Sequence, residues 1–287
     1  SRMEAAAIRM QFDREVDDAM EELRGQLQLH EQLLFAAAAM LERDPDTDHV
    51  AWQRFTQTIR LSERYAGTRG LGYVRWTPSS DLGKFESQAQ TGDGRIHAIY
   101  PEGMRLAYSP VALLQPLDDA HAKSLGFDVM SEPLRHSALI KARDTGQAAM
   151  TAAVKLTCQD PGDENAATVM YVPVYRAGMD RGTAQQRRLA LQGWVFSPYV
   201  LGEFMAVVAR HAPDLMIQVQ DGAQAADAKT LYQARRAELD AWDQYEPLFD
   251  VRRTLTVGQR DWSVRFVPLP SWGAGRVQPM SRLHLLT

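Results

Sequence analysis

Residues 12–43 read FDREVDDAMEELRGQLQLHEQLLFAAAAMLER. Within them Val16, Met20, Leu23, Leu27, His30, Leu34, Ala37 and Leu41 alternate steps of four and three. That is an apolar a/d seam sustained over more than three heptads, with Asp, Glu, Arg and Gln between the seam positions. The helix it predicts stops at Asp44-Pro45-Asp46, because a proline disfavours helical backbone at the residue before it. Two readings fit the seam: an amphipathic helix packed on its own domain, and a stalk helix that pairs with its copy in a parallel dimer. The stalk is the expectation taken here, with His30 as a tolerated polar position on the seam.

Outward from that helix the periodicity changes. A second helix is expected from Asp48 to Arg64, capped by Asp48, with Trp52, Phe55 and Ile59 on one face. Short apolar runs with turn residues follow. Gly70–Trp76, Ile96–Tyr100, Met104–Tyr108, Ala149–Leu156, Thr168–Tyr175 and Leu191–Phe196 read as strands. Thr91-Gly92-Asp93-Gly94 reads as a turn and Gln159–Asn165 as a hairpin loop. Asp118–Ala122 and Glu132–Thr145 read as helices, the second closed by Gly146. A helix over Pro198–Arg210, a strand over Leu215–Gln220 and a hairpin around Gly258-Gln259 make a further small unit, with a mostly polar stretch over Ala223–Asp240. Strands enclosing short helices in this way predict an α+β fold with antiparallel sheets.

The 287 residues are 45% hydrophobic and 24% charged, enough to bury one large core or two smaller ones. The net charge of −4 and the lack of a basic stripe argue against nucleic acid as a partner. Cys158 is the single cysteine, so neither an internal disulfide nor a cysteine-based zinc site can form. No apolar run reaches the length needed to span a bilayer. The opening Ser1-Arg2-Met3 is read as the edge of a domain excised from a longer protein.

Catalytic patterns are hard to find. No nucleophile elbow, phosphate loop or dinucleotide fingerprint occurs; Gly92-x-Gly94 lacks the third glycine and the following helix. Ser131, Glu132 and His136 lie close together, as a helix start capped by a small polar residue would also place them. Asp118, Asp119 and His121 match no strong metal spacing and read as a solvated helix start. The expectation is a binding module without catalytic residues, bound metal or cofactor.

Several runs then carry a resemblance. They are Gly70-Leu71-Gly72-Tyr73, the stretch from Pro101 to Val111 in the pattern P-x-G-x-R-x-x-Y-x-P-V, and Leu125-Gly126-Phe127-Asp128-Val129-Met130-Ser131-Glu132-Pro133. Ala142-Arg143-Asp144-Thr145-Gly146, Tyr171–Arg176 and Gly193-Trp194-Val195 complete the set. In this order the chain from Gly70 to Val195 resembles the CHASE family, the extracytoplasmic sensor domains of histidine kinases and nucleotide cyclases, including the plant cytokinin receptors. The resemblance implies a long N-terminal stalk helix followed by two PAS-like lobes. The expected divisions are 1–47 for the stalk and dimerisation helix, 48–197 for a membrane-distal ligand-binding lobe, and 198–287 for a smaller membrane-proximal lobe. It also implies the periplasmic portion of an inner-membrane receptor, anchored by flanking helices, that dimerises along the stalk.

By the same resemblance the pocket lies between the central sheet and the segment from Leu125 to Thr145. Thr151 falls on a threonine that contacts ligand in the cytokinin receptors. Met130, Phe127, Leu139, Tyr171 and Val195 are expected as apolar walls, while Arg105 and Asp144 are expected to be structural, bonding turns or each other. Where those receptors carry an aspartate that bonds an adenine edge, this chain has Arg135. Arginine only donates hydrogen bonds, so the expected ligand is small, anionic and partly aromatic, with a cytokinin as runner-up. A relay module without a ligand and an α+β enzyme with an unrecognised site are the other readings.

Overall fold

A computed structural model of the chain describes residues 2–88, 98–156, 166–222, 229–234 and 246–272. The expected turn Thr91–Gly94, Cys158, the loop Gln159–Asn165 and most of the C-terminal tail lie outside the described residues. Helix α1 spans Arg2–Arg43 and ends where Pro45 dictates. Every seam position is buried, and Ala19, Leu33 and Ala38 are buried beside it. The apolar face is therefore broader than a coiled-coil seam and matches a helix packed on a domain.

What it packs on comes from further along the chain. Helices α2 (His49–Thr58) and α3 (Leu61–Arg64) follow α1. Asp48 caps α2 by accepting a hydrogen bond from the Ala51 N–H at 2.8 Å. The single helix expected from Asp48 to Arg64 is broken at Arg60, whose φ of 53° is left-handed. Trp52, fully buried, ties α2 to the sheet by donating from Nε1 to the Leu71 carbonyl.

The first sheet has five antiparallel strands. They are β1 (Leu71–Arg75), β4 (Val111–Gln115), β5 (Ala149–Met150), β6 (Ala167–Tyr175) and β7 (Leu191–Val200), in the order β4-β1-β7-β6-β5. A two-stranded ribbon, β2 (Thr77–Pro78) with β3 (Ala107–Tyr108), and helix α4 (Leu82–Gln88) fill the β1–β4 connection. The expected strand Met104–Tyr108 is thus reduced to its last two residues. Helix α5 (Asp119–Ala122) and helix α6 (Pro133–Thr145) lie between β4 and β5, and α7 (Ala184–Ala190) lies between β6 and β7.

Pleating divides this sheet between two cores. Leu71, Tyr73, Leu113, Met170, Val172, Val174, Val195 and Tyr199 face α1. Val74, Val111, Leu114, Val169, Tyr171, Trp194 and Phe196 face α6 and its flanking segments. The strand expected over Ala149–Leu156 pairs regularly only at Ala149 and Met150. Beyond them the Thr151 hydroxyl accepts from the Val169 N–H at 3.0 Å, occupying a donor the strand would otherwise pair.

Helix α8 (Leu201–His211) leads to a second antiparallel sheet of β8 (Leu215–Asp221), β9 (Thr230–Gln233), β10 (Val251–Val257) and β11 (Arg260–Pro268), ordered β10-β11-β8-β9. The helix expected from Pro198 starts later because Pro198–Val200 continue β7. Ile217, Val219, Leu255, Trp262, Val264 and Phe266 join the same core as α1. The N-terminal half of α1 thus meets the second sheet region: Phe12 stacks on Phe249 at 4.9 Å, and Trp272 Nε1 donates to Glu15. The C-terminal half meets the first sheet: Arg181 holds Glu42 with two hydrogen bonds of 2.9 and 3.0 Å.

These contacts correct the expectation of a homodimer through the seam. The seam residues are consumed by the domain's own sheets, so they have no surface left to offer a second helix. His30 also differs from the expectation. It is fully buried among Tyr65, Tyr199 and Phe204, with ring centroids 5.0–5.5 Å away. Neither ring nitrogen has a hydrogen-bond partner among the described residues. Burial pushes its pKa down to about 4, since a charged ring there would lose its hydration.

Two expectations follow. Leu23→Ala costs about 2 to 5 kcal/mol of folding stability, and Leu23→Asp costs more, because the site is core. Chemical denaturation measures both; a Leu23→Asp protein of native stability that has merely lost a dimer would restore the stalk reading. The second concerns pH. Between the ordinary value of 6.5 and about 4, the unfolded chain binds a proton at His30 that the folded chain refuses. Stability from this group is therefore complete above pH 6.5 and is lost as pH falls toward 4, by at most about 1.4 kcal/mol per unit. Melting curves of His30→Leu against the native protein should show a flatter acid limb; parallel limbs would contradict the assignment.

Candidate ligand-binding site

Helix α6 is the element that builds the site. Its start is specified locally by Pro133 at the first turn and by Glu132, whose carboxylate accepts from the Leu134 and Arg135 N–H groups. Its end is Gly146, in the left-handed conformation at φ 73°. Between them Ala138, Leu139 and Ala142 lie against the sheet. Trp194 Nε1 donates to the Leu139 carbonyl at 2.9 Å, which fixes the helix over β7.

The segment before α6 closes over the same face. Asp128 is fully buried; its Oδ1 accepts from the Ser109 N–H at 2.8 Å, and its Oδ2 lies 3.4 Å from Arg105. Phe127 is held by backbone bonds on either side, Gly126 N–H to the Val111 carbonyl and Asp128 N–H to the Tyr100 carbonyl. Arg105 and Asp144 are both structural, but not as a pair. Asp144 takes two hydrogen bonds from Arg188 and one from Arg143, and the Arg188 bond first of all holds its carboxyl well below the usual range.

Between this segment and the sheet lies a cavity of about 30 Å³, room for about one water. Val111, Leu114, Phe127, Val129, Leu156, Val169, Phe196 and Pro198 supply apolar walls, and His121, Ser124, Arg135 and Tyr171 supply polar ones. Arg135 is 8% exposed. Its Nη2 donates to the Lys155 carbonyl at 2.8 Å, and its guanidinium sits 5.6 Å over the Phe127 ring. Glu132 approaches its Nε only to 3.7 Å, and that Nε makes no hydrogen bond among the described residues. The Tyr171 phenol is fully buried; burial raises its pKa, and the neighbouring Arg135 charge opposes the rise. His121 is oriented by Asp118, whose Oδ1 lies 2.7 Å from Nδ1.

Of the residues expected at the pocket, the structure brings together Arg135, Phe127 and Tyr171. Val195 is corrected: it pairs with Val172 and faces α1, on the opposite side of the sheet from Tyr171. Leu139 is wholly buried core beneath Trp194, and the Thr151 hydroxyl bonds the Val169 backbone. Met130 lies in a shallow open groove on the outer side of α6, with Ser131 and His136. Sequence reasoning missed Phe196, which the β6–β7 register places directly opposite Tyr171. It also missed His121 as a wall, since the residue had been read only as a solvated helix start.

No curated protein matches the chain. The periplasmic sensory domain of the Campylobacter jejuni chemoreceptor Tlp1 is similar in fold, with a TM-score of 0.51 at 10% sequence identity, over 93% of this chain and 95% of that one. A family model, the CHASE domain, matches residues 45–232. That span takes in the whole first sheet, α6, the cavity and the start of the second sheet, and the chain belongs to the CHASE domain family of extracytoplasmic sensors.

Proposed function

We propose that this domain is the small-molecule sensor of a transmembrane receptor, that its ligand is a small organic acid with an aromatic or apolar body, and that Arg135 holds the acid group. The observation that carries the reading is a buried guanidinium on the wall of an apolar cavity whose Nε makes no hydrogen bond among the described residues. Such a donor is costly to bury unless something else completes it, and a carboxylate matches the planar fork of arginine. Phe127 and Phe196 offer flat apolar surface on the same cavity. A cavity of about 30 Å³ holds no such ligand, so binding has to move one wall outward, and that displacement is the signal. The receptor is placed in a bacterial inner membrane with this domain in the periplasm, joined to a kinase or cyclase output. The divisions at 47/48 and 197/198 separate helix, pocket lobe and proximal lobe in this scheme. Pairing of two copies then falls on the part of α1 left exposed, at Leu29, Phe35, Ala36 and Ala39, of which Phe35 and Ala39 border a cleft against Pro173 and Tyr175.

Calorimetry against a panel of aromatic acids and adenine derivatives tests the ligand. Arg135→Ala should weaken the best acid by about 1.5 to 3 kcal/mol, the value of a charged hydrogen bond, and Arg135→Lys should recover only part of it. Tight binding of an uncharged adenine derivative, indifferent to Arg135→Ala, would overturn the reading. For pairing, Phe35→Asp should abolish any dimer seen by sedimentation while leaving the melting temperature unchanged. A dimer that survives it would place the contact elsewhere.

A further inference from the structure

The turn between β10 and β11 does not end in solvent. It reaches the first sheet and makes a polar plug there. The Gly258 carbonyl accepts from the Met150 N–H at 2.8 Å, so it caps β5, the edge strand of the five-stranded sheet. Gln259 Nε2 donates to the Thr145 hydroxyl and to the Ala148 carbonyl, both at 2.9 Å. Lys141 Nζ, on α6, donates to the Gln259 carbonyl at 2.8 Å.

The fit is close and conformationally demanding. A β-carbon on Gly258 would lie 2.5 Å from Met150 N, so only glycine permits this approach. Both turn residues have positive φ, 49° at Gly258 and 60° at Gln259. A two-residue turn of this hand suits the twist of a hairpin, but its second position ordinarily takes glycine. Here the left-handed position holds a glutamine whose side chain spends both its hydrogen bonds on the α6–β5 junction. A hairpin that only had to turn would need neither feature.

One plugged element carries a cavity wall residue, and the other pairs with a strand that does. Lys141 and Thr145 stand on α6, which carries Arg135 in its first turn. Ala149, adjacent to the capped Met150, pairs with Tyr171. We propose that the Gly258–Gln259 tip is a coupling element, through which a displacement of α6 at the cavity, and of β5 beside Tyr171, is passed to β10 and β11 of the second sheet. This link is separate from the shared packing on α1, and it concerns the cavity wall whatever the chemistry of the ligand.

The test therefore uses a wall substitution in place of a ligand. Amide hydrogen exchange is measured on the full chain for the native protein and Arg135→Ala, each with and without Gln259→Gly. With the tip intact, Arg135→Ala should change the protection of Met150 and of the β10 and β11 amides by about fivefold or more, the scale of a typical coupling. With Gln259→Gly that distant change should vanish, while the change at the start of α6 remains. Gln259→Asn, which tolerates the same backbone but is one methylene too short to reach both partners, provides the same comparison if the glycine variant folds poorly. Equal changes in β10 and β11 with and without the tip contacts would overturn the proposal. So would an Arg135→Ala protein whose second sheet exchanges as in the native one.

Discussion

The burial of one face of α1 is the constraint on which everything else in the molecule hangs. At 1.5 Å per residue its 42 residues make a rod about 63 Å long. No single small sheet covers such a length. Two sheets do, one at each half, and the apolar stripe from Phe12 to Leu41 becomes the core they share. Losing that stripe to a partner helix would expose both sheets' inner faces at once. The same constraint dictates the layering of the first sheet, with α1 on one face and α6 on the other. It also puts the cavity on the α6 side, away from the rod.

That arrangement suits a sensor on physical grounds. The α1 face of the sheet carries a continuous buried core with an open cleft only at its rim, by Phe35 and Pro173, whereas the α6 face holds an enclosed void beside a buried arginine. A close-packed core resists deformation, so displacement is easier on the side where a wall already stands off. The rod meanwhile joins the two sheets along their length. A wall moving on the α6 side therefore works against a stiff reference, which is what converts a local shift into a relative one.

Much of this was legible in the sequence, and the failures have identifiable causes. The bounds of α6 were written in Glu132, Pro133 and Gly146, because caps act through their immediate neighbours. The hairpin at Gly258-Gln259 was readable for the same reason. The 3-4 spacing of α1 correctly gave a helix ending at Arg43, but spacing alone does not say what covers the stripe. Ala19, Leu33 and Ala38, which widen it, were the sign that a sheet rather than a second helix lay opposite. Strand β9 went unseen because only Leu231 of its four residues is fully buried. Val195 was placed on the wrong face because β6 and β7 are buried on both sides, so no alternation of polarity marks the pleat. The register settles it: Tyr171 stands opposite Phe196, and Val195 opposite Val172. Arg135 is a pocket residue by resemblance, yet that its Nε lacks a hydrogen bond among the described residues emerges only from the packing of Phe127, Lys155 and Glu132 around it.

The central claim is that the cavity beside Arg135 receives an organic acid. The most direct measurement is the nuclear magnetic resonance signal of the Arg135 Nε–H, assigned by its loss in Arg135→Lys and followed while an aromatic carboxylate is titrated in. The account predicts a saturable downfield shift of this one arginine signal, with accompanying shifts at Phe127 and Phe196. Saturable shifts confined to the outer groove of α6, around Met130 and His136, with the Arg135 Nε–H unmoved, would contradict it.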